Sequence, residues 1–196
     1  PLAWVLARMD FRGRGVLRAL VTLPMVLPPV VGGAALLAAW GRSYGLLGAW
    51  LHDAAGVQLT FSWWGVVVAE AFVAMPFLVL ALEGGIASVD RRYEQAAATL
   101  GAAPIYRFVK ILLPLTLPGI VSGIAFVFSM SVSMYVIPSL LIGDRFQTLS
   151  TLTGRSFLFM RNEQLGSTTA VILLVLAVSI VVGSSWLARR LGGSTT

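Results

Sequence analysis

Three stretches of this chain carry no charged side chain for longer than a bilayer is thick. Ala19–Trp40 runs for 22 residues, Ile111–Gly143 for 33 and Gln164–Ala188 for 25. A fourth stretch, Ser62–Leu82, is interrupted only by Glu70. As helices of about 20 residues, all four reach across roughly 30 Å of hydrocarbon. The expected fold is therefore all-α, a polytopic transmembrane helical bundle in one domain over residues 1–196. Its spans are expected at about 19–40, 62–82, 113–137 and 167–188. The 33-residue run exceeds one span, and Pro114, Pro118 and Pro138 near its ends predict one helix with flanking segments.

Composition narrows the function. Charged residues make up 11% of the chain and hydrophobic residues 58%, whereas a soluble domain carries about 25% charge. A disordered chain, a nucleic-acid-binding protein and an ordinary soluble enzyme are excluded. The net charge of +6 has a membrane explanation, because Lys and Arg accumulate on cytoplasmic loops. With no cysteine and one histidine, His52, no disulfide framework exists and no metal site is predicted. Catalytic residues are not expected either, since no phosphate-binding loop or carboxylate–nucleophile pairing is present.

The cations also orient the spans. Arg8, Arg12, Arg14, Arg18, Arg91, Arg92, Arg107, Lys110, Arg189 and Arg190 fall on one side. Arg42, Arg145, Arg155 and Arg161 fall on the other. The split of 10 against 4 puts the first group, and the C-terminus, in the cytoplasm. The opening PLAWVLAR is too short to span and has its charges after the apolar part. It reads as the exit of a helix whose beginning is absent from this sequence.

The cytoplasmic loop at about 84–112 is patterned. Asp90 or Ser88 can cap a helix start. Tyr93, Ala96, Ala97 and Leu100 then recur at helical spacing. Gly101 stands where a helix stops, and Pro104 where another starts. The run Ala96-Ala97-Ala98 lets a partner backbone approach closely. An equally simple reading is that alanines are good helix formers.

Gln95-Ala96-Ala97, Gly101 and Ile111-Leu112-Leu113-Pro114 resemble, without gaps, the Glu-Ala-Ala loop of type I ABC importer permeases. Gln95 departs from the usual Glu, with Glu94 one place earlier, and Ala103 replaces a common capping Ser. The resemblance covers nearly the whole chain and implies that a first helix and most of a second are absent. The segment from Tyr135 to Leu174 is similar to the polyamine (spermidine/putrescine) branch. GRSYGLLGAWL and FSWWG resemble molybdate and sulfate permeases.

That resemblance implies a permease subunit of an ATP-driven importer in the bacterial plasma (inner) membrane. Its implied partners are a cytosolic ABC ATPase dimer, a second permease subunit, an extracellular or periplasmic solute-binding protein and membrane lipid, with no nucleic acid. The chain itself holds no cofactor and is no enzyme; ATP and Mg belong to the ATPase. The helix at about 90–101 couples to that ATPase, with Arg91, Arg92, Glu94, Gln95, Ala96, Ala97, Gly101 and Arg107 as coupling residues. The substrate expected is a polyamine or related small solute. The alternatives are a molybdate- or sulfate-type oxyanion and, from another class, an ion-coupled secondary transporter fragment. The last would need more intramembrane ionisable groups than one glutamate.

Glu70 is costly within a span and hence a candidate pathway residue. It is read either as an acid meeting a cationic substrate or as a hydrogen-bonded helix contact, near Ser62 or a backbone carbonyl. Pro28, Pro29 and Pro76 can break helices along a pathway or merely kink them. Ser129 and Ser133 share a face and can line a polar route or bond back to their own helix.

Overall fold

A computed structural model describes residues 1–41, 45–143 and 146–192. Arg42 and Arg145 lie outside the described residues. Among those described, secondary structure is helical throughout. The helices are α1 (Leu2–Arg8), α2 (Arg14–Val26), α3 (Pro29–Trp40), α4 (Gly48–Ala55), α5 (Trp63–Ser88) and α6 (Arg91–Thr99). They continue with α7 (Pro104–Arg107), α8 (Leu113–Ser133), α9 (Val136–Ile142), α10 (Leu149–Leu158) and α11 (Glu163–Gly192).

Three helices are long and apolar enough to cross a membrane: Trp63–Ser88, Pro104–Ser133 and Glu163–Arg190. The expected span at 19–40 is not one straight helix. α2 and α3 meet at a bend of 105°. Pro28 and Pro29 supply neither amide hydrogen, and a residue before proline is pushed out of the helical region. Pro24 stays inside α2, and Pro76 stays inside α5. The span expected at 113–137 also shifts. Its helix begins at Pro104 and stops at Ser133, where the Met134 amide bonds the Ser131 carbonyl at 3.1 Å. A π-turn, Phe108–Leu112, joins α7 to α8. It directly precedes Pro114, which lacks the N–H that would bond Lys110, so the ladder widens there.

The chain comprises two compact units. The first comprises Pro1–Leu20, Phe77–Phe128 and the chain from Ser179. Here α5 and α8 cross at two glycines. A Cβ on Gly119 would lie 3.5 Å from the Gly85 Cα, and one on Gly123 would lie 3.3 Å from the Ala81 methyl. Small residues permit such backbone approach, and lipid gives helices no hydrophobic drive to associate. Leu6 of α1 is fully buried, and the Trp4 ring meets Phe108 edge-on at 5.8 Å. Glu83 is buried and paired with Arg18.

The second unit comprises Val21–Pro76 and Ser129–Val178. Its core is Trp40, Val66, Ala69, Ile137, Leu141 and Ile142. Gly33 lets α3 lie on α9, since a Cβ there would come within 2.8 Å of Leu140 Cδ1. Thr148 caps α10 in a reciprocal box with Thr151. The Ser150 hydroxyl donates to the Met134 carbonyl at 2.6 Å, bracing the break between α8 and α9.

Candidate functional site

The first unit holds the patterned loop. Asp90 caps α6 by accepting the Arg92 amide at 2.9 Å. At its other end Gly101 takes φ +81°, a left-handed conformation that favours glycine. The Gly101 amide bonds the Ala98 carbonyl and the Ala102 amide bonds the Ala97 carbonyl, each at 3.0 Å. This is the double-bonded glycine stop of a Schellman turn. Pro104 then opens α7 at its first position, with Ala103 providing no side-chain cap. Local chemistry thus builds a short helix, a rigid turn and the start of a 30-residue helix.

No residue of α6 is buried. Tyr93 is 59% exposed and Leu100 87%, and Arg91, Arg92, Gln95, Ala96 and Gly101 are exposed as well. Glu94, Ala97 and Arg107 are half-buried. Glu94 does not present a free acid to a partner. Its carboxylate pairs with the Arg8 Nε at 3.0 Å, with side chains 18% and 8% exposed. Arg8 also donates to the Val89 carbonyl at 2.7 Å. One guanidinium therefore ties α1 to both sides of the α5–α6 corner. Arg107 lines a groove of about 270 Å³ with Trp4, Arg8, Glu94 and Gln95. The sequence reading missed Arg8, which carried no signal beyond its charge.

The second unit holds the intramembrane candidates. Glu70 is half-buried, and its carboxyl faces the Ser131 hydroxyl. Ser62 is bonded elsewhere: its hydroxyl donates to the Leu59 carbonyl at 2.8 Å and takes the Gly65 amide at 3.1 Å. Ser133 bonds back to the Ser129 and Met130 carbonyls at 3.1 and 3.0 Å. The Ser129 hydroxyl is buried without a hydrogen-bond partner. Pro28 and Pro29 sit exposed at the α2–α3 bend, and Pro76 is fully buried. Among the described residues no three His, Asp or Glu side chains are grouped to hold a metal ion.

The Glu70–Ser131 contact has a measurable consequence. If it is a helix tie, Glu70→Gln keeps a polar partner opposite Ser131 and keeps solute uptake within about twofold of wild type, while Glu70→Leu lowers stability by about 1 kcal/mol. Uptake and thermal unfolding in detergent check this. An uptake loss in Glu70→Gln with unchanged unfolding would instead make the charge functional.

Comparison with known proteins places this architecture. Residues 1–192 match the family described as binding-protein-dependent transport system inner membrane component. The chain belongs to that family. This permease is 43% identical over 184 residues to the molybdenum transport system permease protein ModB of Mycobacterium tuberculosis, covering 93% of the chain and 68% of the relative. It is 36% identical over 190 residues to ModB of Escherichia coli K12, covering 95% and 82%. Its fold matches a solved bacterial alginate ABC transporter, in complex with a pentasaccharide-bound periplasmic protein, with a TM-score of 0.77. That match has 17% identity and covers 97% of this chain and 70% of the other. The permease is thus an ABC importer subunit of the inner membrane, a class that works with an ATPase and a binding protein. The polyamine expectation finds no support in these relatives.

Proposed function

We propose that the permease carries a tetrahedral oxyanion, molybdate first, through the inner membrane, driven by a separate ATPase that holds ATP and Mg. The observation that carries this reading is the relationship to molybdenum permeases along nearly the whole chain. In this reading α6 lies on the cytoplasmic side, beside Arg91, Arg92, Arg107 and Lys110, and seats in the ATPase. The C-terminus lies on the same side. A second permease subunit completes the pathway, and a binding protein supplies the anion from outside. The apolar surface of α11, where no residue from Ala170 to Arg190 is buried, is covered by lipid or by that second subunit. When the ATPase dimer closes on ATP, α6 moves and the motion passes through the turn at Gly101 into the helix beginning at Pro104. Such a switch needs different contacts in its two states.

The test is uptake of radiolabelled molybdate by cells with and without the gene, with tungstate, sulfate or putrescine as competitor. Loss of molybdate uptake on deletion, and competition by tungstate but not putrescine, is the expected result. Gene-dependent uptake of putrescine, with molybdate uptake unchanged, would overturn it.

A further inference from the structure

Two grooves of the first unit meet at Trp4, and they differ in chemistry. The groove beside α6 is polar, with Arg8, Arg91, Glu94, Gln95 and Arg107 in its lining. The other, also about 270 Å³, is apolar and is walled by Leu82, Ile86, Phe108, Leu113 and Ile120. Arg107 and Phe108 are neighbours in the chain yet line different grooves. The border between polar and apolar surface therefore runs between them. The Trp4 ring, edge-on to Phe108 at 5.8 Å, marks the same border. Thr116 also lines the apolar groove, but its hydroxyl donates to the Leu112 carbonyl at 2.9 Å and offers nothing to a ligand.

In the polar groove three guanidiniums stand against one carboxylate. Arg8 is already paired with Glu94. Arg107 is not satisfied in this way, because its Nε is buried without a hydrogen-bond partner. The Trp4 indole nitrogen is likewise buried and unmet. Buried donors are costly to leave without acceptors. Their position beside an excess of positive charge suits a group with several anionic oxygens, such as a phosphate. The face of α6 involved is also specific. Arg91, Glu94, Gln95 and Ala98 line the groove at helical spacing, whereas Tyr93, Ala96 and Leu100 share the opposite face. The groove is therefore separate from the surface that α6 offers to the ATPase.

We propose that the two grooves together hold an anionic phospholipid of the inner leaflet. Its phosphate lies against Arg107 and Arg91, and an acyl chain follows Phe108, Leu113 and Ile120. A free phosphate, or an acidic side chain of the ATPase, would use the polar groove alone; an amphiphile uses both. The cytoplasmic leaflet carries anionic headgroups that basic pockets attract, and the polar groove lies where the loop enters the helix Pro104–Ser133. The proposal goes beyond the importer reading and takes from it the cytoplasmic placement of α6.

The test uses the permease assembled with its ATPase in bilayers of mixed phosphatidylglycerol and phosphatidylcholine, followed by native mass spectrometry of the released complex. Wild type is expected to retain phosphatidylglycerol in preference to phosphatidylcholine. Arg107→Gln should lower that retention by about tenfold. Arg107→Lys should keep a larger share, because it keeps the charge while losing the fork. Arg91→Gln should cost about threefold, and Arg92→Gln, outside the groove, should match wild type. Excess inorganic phosphate should not displace the lipid. Wild-type retention in Arg107→Gln overturns the proposal. If that variant does not assemble, wild-type retention in Arg91→Gln overturns it instead. Displacement of the lipid by inorganic phosphate makes the groove a free-phosphate site and also overturns it. So does loss of the ATPase from Arg107→Gln with the lipid still retained, since the groove then serves that partner. The placement is checked apart from the lipid: the chain has no cysteine, so Arg92→Cys gives a single thiol on α6. Labelling of that thiol from the cytoplasmic side is expected, and labelling from outside alone brings down the placement and the inner-leaflet site with it.

Discussion

Replacing Ala96 with glutamate is expected to abolish co-purification of the ATPase while leaving the permease folded in the membrane. Tyr93, Ala96 and Leu100 lie at helical spacing on α6 and are exposed in the permease. A docking helix of this kind carries its affinity in a few central contacts. A carboxylate forced into that contact without a partner costs about 3 kcal/mol, or roughly a hundredfold in affinity. The same change at an exposed position alters permease stability by only about 0.5 kcal/mol. Ala97→Glu is the informative contrast. Ala97 is half-buried, so that substitution should lower the unfolding temperature as well as docking. Measuring ATPase capture alongside thermal unfolding separates the two. If the ATPase stays bound to Ala96→Glu and uptake is undiminished, α6 is not the seat of coupling.

Arg8→Met should uncouple the same corner from the other side. Arg8 and Glu94 are shielded from water, and Arg8 also holds the Val89 carbonyl. Removing one member of a buried pair strands the other, at a cost of about 3 kcal/mol. The expected phenotype is a less stable permease whose ATPase still binds nucleotide but drives little uptake. Glu94→Gln should do similar damage. The double variant should be less harmful than the sum of the two, by about 1–3 kcal/mol in a thermodynamic cycle. Additive single effects, within about 0.5 kcal/mol, would show that the pair does not join α1 to α6.

Much of the architecture was legible because it is local. Charge-free stretches of the length of Gln164–Ala188 become helices in lipid, since the backbone has no water to bond. Asp90, Gly101 and Pro104 state where α6 begins and ends and where α7 starts, because each acts on amides within a few residues. The prolines at 28 and 29 allowed a break or a kink, and nothing in them gave the 105° bend. The segment from Tyr135 to Leu174 pointed to a polyamine branch, and the comparison with whole relatives points elsewhere.

The sequence by itself determined that this chain is helical, that it belongs in a membrane, and that a capped, surface-exposed helix interrupts its spans. Only the tertiary structure decided which side chains meet: Arg8 with Glu94, Glu70 with Ser131, and Trp4 and Arg107 along one groove. The reason is that the long helices such as α3 and α5 are apolar on every side, so periodicity names no inward face for them. Their rotation is set by where backbones can touch, as at Gly85 and Gly119 or at Gly33 against α9, and those meetings join residues that no spacing in the chain connects.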